Sequence, residues 1–130
     1  MNTLRSYAST LLRMGISLII IWFGSQQLLH PQTWTHFLPG WTSDMFLSQV
    51  SFVYLNGAFE VIAGALLFLG LFTCVVSFLL ALHMLSIVIT VGYNPTGMRD
   101  LAIFFAVAFL FLHKNHDKWS LDKKLDTPKA

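Results

Sequence analysis

Glu60 is the residue from which chemistry is most readily read, because it stands near the middle of a stretch, Val50 to Val91, that holds no Lys or Arg. His83 is the other side chain in that stretch suited to carry charge, and Asn56 lies one helical turn before Glu60. A carboxylate, an imidazole and an amide at one level can hold a polar head by hydrogen bonds and accept or release a proton. At about 100° per residue, Gln49, Val53, Asn56 and Glu60 share one helical face with Gly64 at its margin, and His83, Ser86 and Thr90 share a face further on. Arg99 and Asp100 follow as the nearest charged pair, and Arg99 is the candidate partner of Glu60.

The elements that must position these groups follow from length. At about 1.5 Å per residue the Val50 to Val91 stretch would run about 63 Å, roughly twice the ~30 Å hydrocarbon thickness, so it folds into a hairpin of two spans. Composition agrees: 55% of the 130 residues are hydrophobic and 11% charged, and mean hydropathy is +0.66. The expectation is an all-α integral membrane four-helix bundle forming a single domain, residues 1–130. Its spans run approximately Leu11–Leu29, Val50–Gly70, Leu71–Val91 and Met98–Leu112, with a basic tail over 113–130. Gly70-Leu71-Phe72-Thr73 is the expected turn of the hairpin, with Gly70 supplying a reversed backbone angle. Arg5 precedes an apolar core as in a signal peptide, but Gly24-Ser25-Gln26-Gln27 is a poor cleavage site, so the segment is read as a helix.

Lys114, Lys118, Lys123, Lys124 and Lys129 follow the last span, Arg5 and Arg13 flank the first, and His30 to Gln49 contains neither Lys nor Arg. The positive-inside bias places the N- and C-termini in the cytoplasm. Trp34, Phe37, Trp41 and Phe46, with Pro31 and Pro39, make the outer connection an interfacial segment along the headgroups. Counted from the outer surface, Glu60 lies about 15 Å deep, Asn56 about 9 Å and His83 about 12 Å. A carboxylate near the midplane costs about 2.5 kcal/mol or more unless paired, neutralised or wetted, which makes Glu60 a functional-site candidate. Asn56, Glu60 and His83 admit a purely structural reading too, a hydrogen-bonded network that fixes the bundle.

The fourth span is short, about 22 Å for Met98–Leu112, and two readings stay open: in one, Gly92 to Gly97 dips into the membrane and carries Arg99 and Asp100 towards Glu60. In the other, an earlier helix start leaves the two at the surface as a helix-start pair. Arg13, Ser17, Gly24 and Gln27 share a face of the first helix; Arg13, about 24 Å below the outer end, is expected to snorkel to the cytoplasmic headgroups. Gly24, Gly57 and Gly64 read as close-packing positions.

Several chemistries are argued against. His30 and His113 lie at opposite boundaries and only His83 is deep, so two imidazoles do not face each other across a haem. His30, His36 and Asp44, or His113, His116 and Asp117, lack compact zinc spacing, and no metal site is expected. The single Cys74 excludes an internal disulfide and reads as a small packing residue near the cytoplasmic end. No phosphate-binding loop, nucleophile elbow or hydrolase triad is present. The net charge of +2 sits largely in the tail, mixed with Asp117, Asp122 and Asp126, and does not argue for nucleic acid.

Leu11-Leu12-Arg13-Met14-Gly15, the run Asn56-Gly57-Ala58-Phe59-Glu60-Val61-Ile62-Ala63-Gly64 followed by Leu69-Gly70-Leu71-Phe72-Thr73, and Trp119-Ser120-Leu121-Asp122 together resemble the DoxX family of small bacterial membrane proteins. The resemblance implies four transmembrane helices in the bacterial cytoplasmic (inner) membrane. It also implies a relation to the small subunits of a thiosulfate:quinone oxidoreductase and to membrane redox complexes. Gln27 stands in the region where many members carry Lys, and Cys74 where Arg is common.

The leading expectation is a component without catalytic activity of its own, in a redox or stress-linked assembly. It would bind an apolar ligand, a quinone or lipid, at an outward-opening pocket between the second, third and fourth spans, with Asn56, Glu60, His83, Arg99 and Asp100 as its polar residues. A quinone is the one cofactor candidate; the expected partners are the bilayer, a membrane redox protein and a second copy of the chain. Two alternatives belong to other classes: a small proton-coupled transporter acting as an oligomer, and a purely structural assembly factor.

Overall fold

The computed structural model describes residues 2–113; the basic tail and the Trp119 to Asp122 motif lie outside the described residues. The long helices are α1 (Asn2–Leu29), α3 (Gln49–Leu69), α4 (Thr73–Val91) and α5 (Pro95–Leu112), with a single-turn α2 (Pro31–Trp34) in the first connection. Tyr7–Leu29 of α1 and the whole of α3, α4 and α5 are each long and apolar enough to cross a membrane. Each boundary has a local cause. Ser48 caps α3 by accepting from the Ser51 N–H, which satisfies one of the orphan donors of a helix start. Gly70, at φ 71°, closes the same helix, and the Leu71 N–H reaches back to the Leu66 carbonyl, the pattern by which a left-handed residue consumes the last carbonyls. Phe72 is also left-handed, at φ 51°, so the hairpin turn expected at Gly70 to Thr73 uses two reversed residues rather than one.

Two helix starts differ from expectation. Asn2 to Thr10 contains neither Gly nor Pro to stop a helix, so α1 begins well before Leu11. Helix α5 starts at Pro95 rather than Met98, because Asn94 accepts from the Gly97 N–H and Pro95 fits the first helical position. Its 18 residues then run about 27 Å, close to the hydrocarbon thickness, and the length mismatch that called for a dipping Gly92 to Gly97 segment largely disappears.

The helices pack as two intimate pairs, α1 with α3 and α4 with α5, joined by lighter α3–α4 and α1–α5 seams. Between the pairs lies a core built around Ile20, Leu67, Leu80 and Val107. Polarity is inverted relative to a water-soluble protein. Arg13 and Glu60 are 0% and 2% exposed while Leu11 and Ile89 are 75% and 74% exposed, the distribution suited to a hydrocarbon surround. Cys74 is exposed rather than packed, since the buried face of α4 is Val76, Ser77, Leu80 and Met84.

The α1–α3 pair is close because of glycine. A Cβ on Gly24 would lie 2.8 Å from the Gly57 carbonyl oxygen and 2.9 Å from the Val61 nitrogen, and one on Gly57 would lie 2.9 Å from the Gly24 oxygen. These obstacles are backbone, so they cannot swing aside. Gly24→Ala is therefore expected to cost about 1–3 kcal/mol as the helices are forced apart. Gly15→Ala, with nothing within 4 Å, should be neutral or stabilise by up to about 1 kcal/mol. Thermal unfolding of both variants in one detergent checks the contrast; equal melting points would contradict the backbone-contact reading.

Candidate functional site

The close approach at Gly24 and Gly57 brings Gln27 of α1 against Glu60 of α3. Gln27 Nε2 donates to Glu60 Oε2 at 2.8 Å. Asn56 Nδ2 donates to Gln27 Oε1 and, at 3.3 Å, to Glu60 Oε1. His83 Nε2 stands 3.1 Å from the same Oε1, its ring 4.8 Å from that of Phe59. Donors from three helices thus converge on one carboxyl group that is 2% exposed. Burial of such a group without partners costs several kcal/mol; here each oxygen is met.

Helical periodicity correctly gathers Asn56 and Glu60, and the level match correctly brings His83 to them. Gln27 is the member missed as a site residue. Its signal was present in the face it shares with Arg13, Ser17 and Gly24, since a glycine contact fixes which way that face points.

Arg99 is where expectation and structure part. It does not pair with Glu60: its Nε donates to Asp100 Oδ1 at 3.0 Å, its second terminal nitrogen lies 2.9 Å from the same oxygen, and its guanidinium stacks 4.3 Å above the Phe23 ring. A neighbour on the same helix is reached at little entropic cost, and the aromatic face holds the cation in place. Asp100 is buried while Arg99 is partly exposed. Arg13 likewise departs from expectation. Instead of snorkelling it is fully buried and donates to the carbonyls of Leu67, at 2.7 Å, and Phe68. Those carbonyls end α3, where the Leu67 oxygen also accepts from the Gly70 N–H and the helix end carries partial negative charge, so a cation is favoured there.

A cavity of about 160 Å³ opens beside Glu60. Gln27, Asn56, Glu60, Arg99 and Asp100 all border it, within walls that include Ile20, Phe23, Val53, Met84, Ile87 and Ile103. All four long helices contribute, rather than the three expected, and the first connection covers it through Trp34, Phe37, Leu38 and Pro39. Trp34 packs edge-on to Phe23 at 6.0 Å and against Phe37 at 5.7 Å. Ser86 and Thr90 border the cavity on α4, while His83 meets Glu60 without lining it. Of the five residues expected to form the site, four face this space and His83 supports it from behind. Among the described residues no three His, Cys, Asp or Glu side chains cluster as metal ligands.

The family model for DoxX matches residues 8–93. The chain belongs to the DoxX family. With its four long apolar helices it is a multi-pass membrane protein. Gln27, Asn56, Glu60 and His83 fall within the DoxX match, whereas Arg99 and Asp100 lie beyond it on α5. No curated protein and no solved structure matches the chain.

Proposed function

We propose that this DoxX protein is a non-catalytic component of a membrane redox or stress-linked assembly, holding an amphiphilic ligand with its polar head in the cavity beside Glu60. The observation that carries the reading is the cavity itself, where Gln27, Asn56, Glu60, Arg99 and Asp100 converge within largely apolar walls, the composition small-molecule sites require. Its volume, about 160 Å³, is near that of a dry cavity that accommodates one benzene ring, roughly 150 Å³. A single-ring head fits, with the tail left to run along the helices into the bilayer. Between quinone and phospholipid, charge favours the ring: a phosphate would face Glu60 and Asp100 with Arg99 already paired. The proposed setting is a four-helix bundle in the bacterial inner membrane. Arg5 and the lysine-rich tail lie in the cytoplasm, and the lysine- and arginine-free His30 to Gln49 connection lies outside, over the cavity.

Trp34 supplies the test. A benzoquinone with a short alkyl tail, titrated into protein in nanodiscs, is expected to quench tryptophan fluorescence saturably, and Trp34→Phe should remove most of the saturable part. Quenching that rises linearly and ignores the substitution, as for quinone merely dissolved in lipid, would contradict the proposal.

A further inference from the structure

The hydrogen-bonding capacity left facing the cavity is unequally divided, and this bears on the chemical class of head the cavity selects. Asn56 commits its amide N–H groups to Gln27 Oε1 and Glu60 Oε1. Gln27 turns its amide nitrogen to Glu60 Oε2. The hydroxyls of Ser86 and Thr90 donate to carbonyls of their own helix, those of His83 and Ser86. Apart from the second amide N–H of Gln27, what these groups offer a ligand is oxygen lone pairs. A carboxylate oxygen and an amide oxygen each accept two hydrogen bonds, and a hydroxyl that donates to its backbone still accepts. The inner end of the cavity is therefore rich in acceptors. On the α5 side Arg99 donates, held over Phe23 and against Asp100, and Thr96 and Trp34 also border the cavity with a hydroxyl and an indole N–H.

Resting on the ring-head reading above, we infer that the cavity selects a ring bearing a donating hydroxyl, a phenol or quinol, over the corresponding carbonyl or ether. A quinone brings only acceptors; Arg99 can still donate to one carbonyl, so it binds saturably but more weakly, its other carbonyl facing the lone pairs of Glu60. A phenolic O–H donates to Glu60 Oε2 at the inner end. In a quinol the second hydroxyl oxygen accepts from Arg99. A cationic head would donate too, but it would give up its hydration among apolar walls, and the Phe23 face that could hold it is already occupied by Arg99. Binding thus favours the reduced state of a quinone couple without any electron transfer in this chain.

A redox-inert pair of probes isolates the donor. 4-Hexylphenol and 4-hexylanisole share ring and tail, and the ether carries a methyl in place of the donating hydrogen; the added bulk is the same in wild type and Glu60→Gln, so the change in preference between them reads the donor. Binding to wild-type protein in nanodiscs is read from the Trp34-dependent fluorescence change, each affinity corrected for partition into empty nanodiscs. The phenol is expected to bind about tenfold or more tightly, the scale of a hydrogen bond to a charged acceptor. In Glu60→Gln the preference should fall to within about threefold, since the charged acceptor is gone. The comparison on wild type stands even where the variant does not fold. If both probes bind with equal affinity, the donor selection is wrong while the cavity reading survives. If neither gives a Trp34-dependent signal, both fail.

Discussion

Arg13→Met is expected to destabilise the protein by about 2–5 kcal/mol, seen as a large drop in melting temperature in detergent. Methionine matches much of the length and apolar stem of arginine, so packing is largely kept and the loss isolates the guanidinium. In the folded chain that guanidinium donates to the Leu67 and Phe68 carbonyls, at the end of α3. The Leu67 carbonyl keeps the Gly70 N–H, so the loss falls mainly on the Phe68 carbonyl and on the positive charge placed at the helix end. Arg13→Lys should recover part of the stability, since an ammonium keeps the charge at the helix end but not the forked donor geometry. A methionine variant that melts like wild type would show that the carbonyls find other partners.

The same residue shows what a sequence conveys and what it withholds. The four apolar segments, the hairpin at Gly70 and the grouping of Asn56, Glu60 and His83 were legible because they depend on period and length alone. The depth of Arg13 was legible too, about 24 Å below the outer end. Distance to the headgroups alone points to snorkelling, although the end of α3, about 27 Å down at Leu67, lies at nearly the same level. Two antiparallel helices of similar length bring a basic side chain near the start of one to the open carbonyls at the end of the other. Period and depth together could have found that contact; the close α1–α3 approach that makes it near enough runs from Gly24 and Gly57 to Gly64, which sits against the Ser17 carbonyl one turn from Arg13.

Arg99 was misplaced for a different reason. Its sequence neighbour Asp100 competes with every distant carboxylate at almost no entropic cost, and the choice of Phe23 as its platform depends on the α1–α5 seam, which no local pattern encodes. Gln27 shares no helix with Glu60, so the periodicity that gathers Asn56 cannot place it in the site. Yet it bridges the first helix to Glu60 across 33 positions of sequence, and with Asn56 it fixes the rotamer of the carboxylate.

The second large effect is expected at Glu60. Glu60→Gln preserves the shape of the side chain but turns one acceptor oxygen into a donor, which must face Gln27, Asn56 or His83, each presently directed at the carboxylate. At least one buried donor loses its partner, at a cost of about 1–3 kcal/mol. The surface presented to the cavity changes from acceptor to mixed. Retention of a bound amphiphile should fall by about tenfold or more even where the variant remains folded, because tenfold corresponds to only about 1.4 kcal/mol. Melting curves recorded alongside separate the loss of ligand from the loss of fold.

The most direct measurement is mass spectrometry of the quinones and lipids that wild-type protein and Glu60→Gln retain when both are extracted into native nanodiscs from the same membranes. A single-ring amphiphile enriched in wild type over the surrounding membrane and depleted about tenfold in the variant is the predicted result. Indistinguishable, membrane-average profiles in the two preparations would contradict a ligand site at Glu60 and leave the network as a device that only fixes helix register.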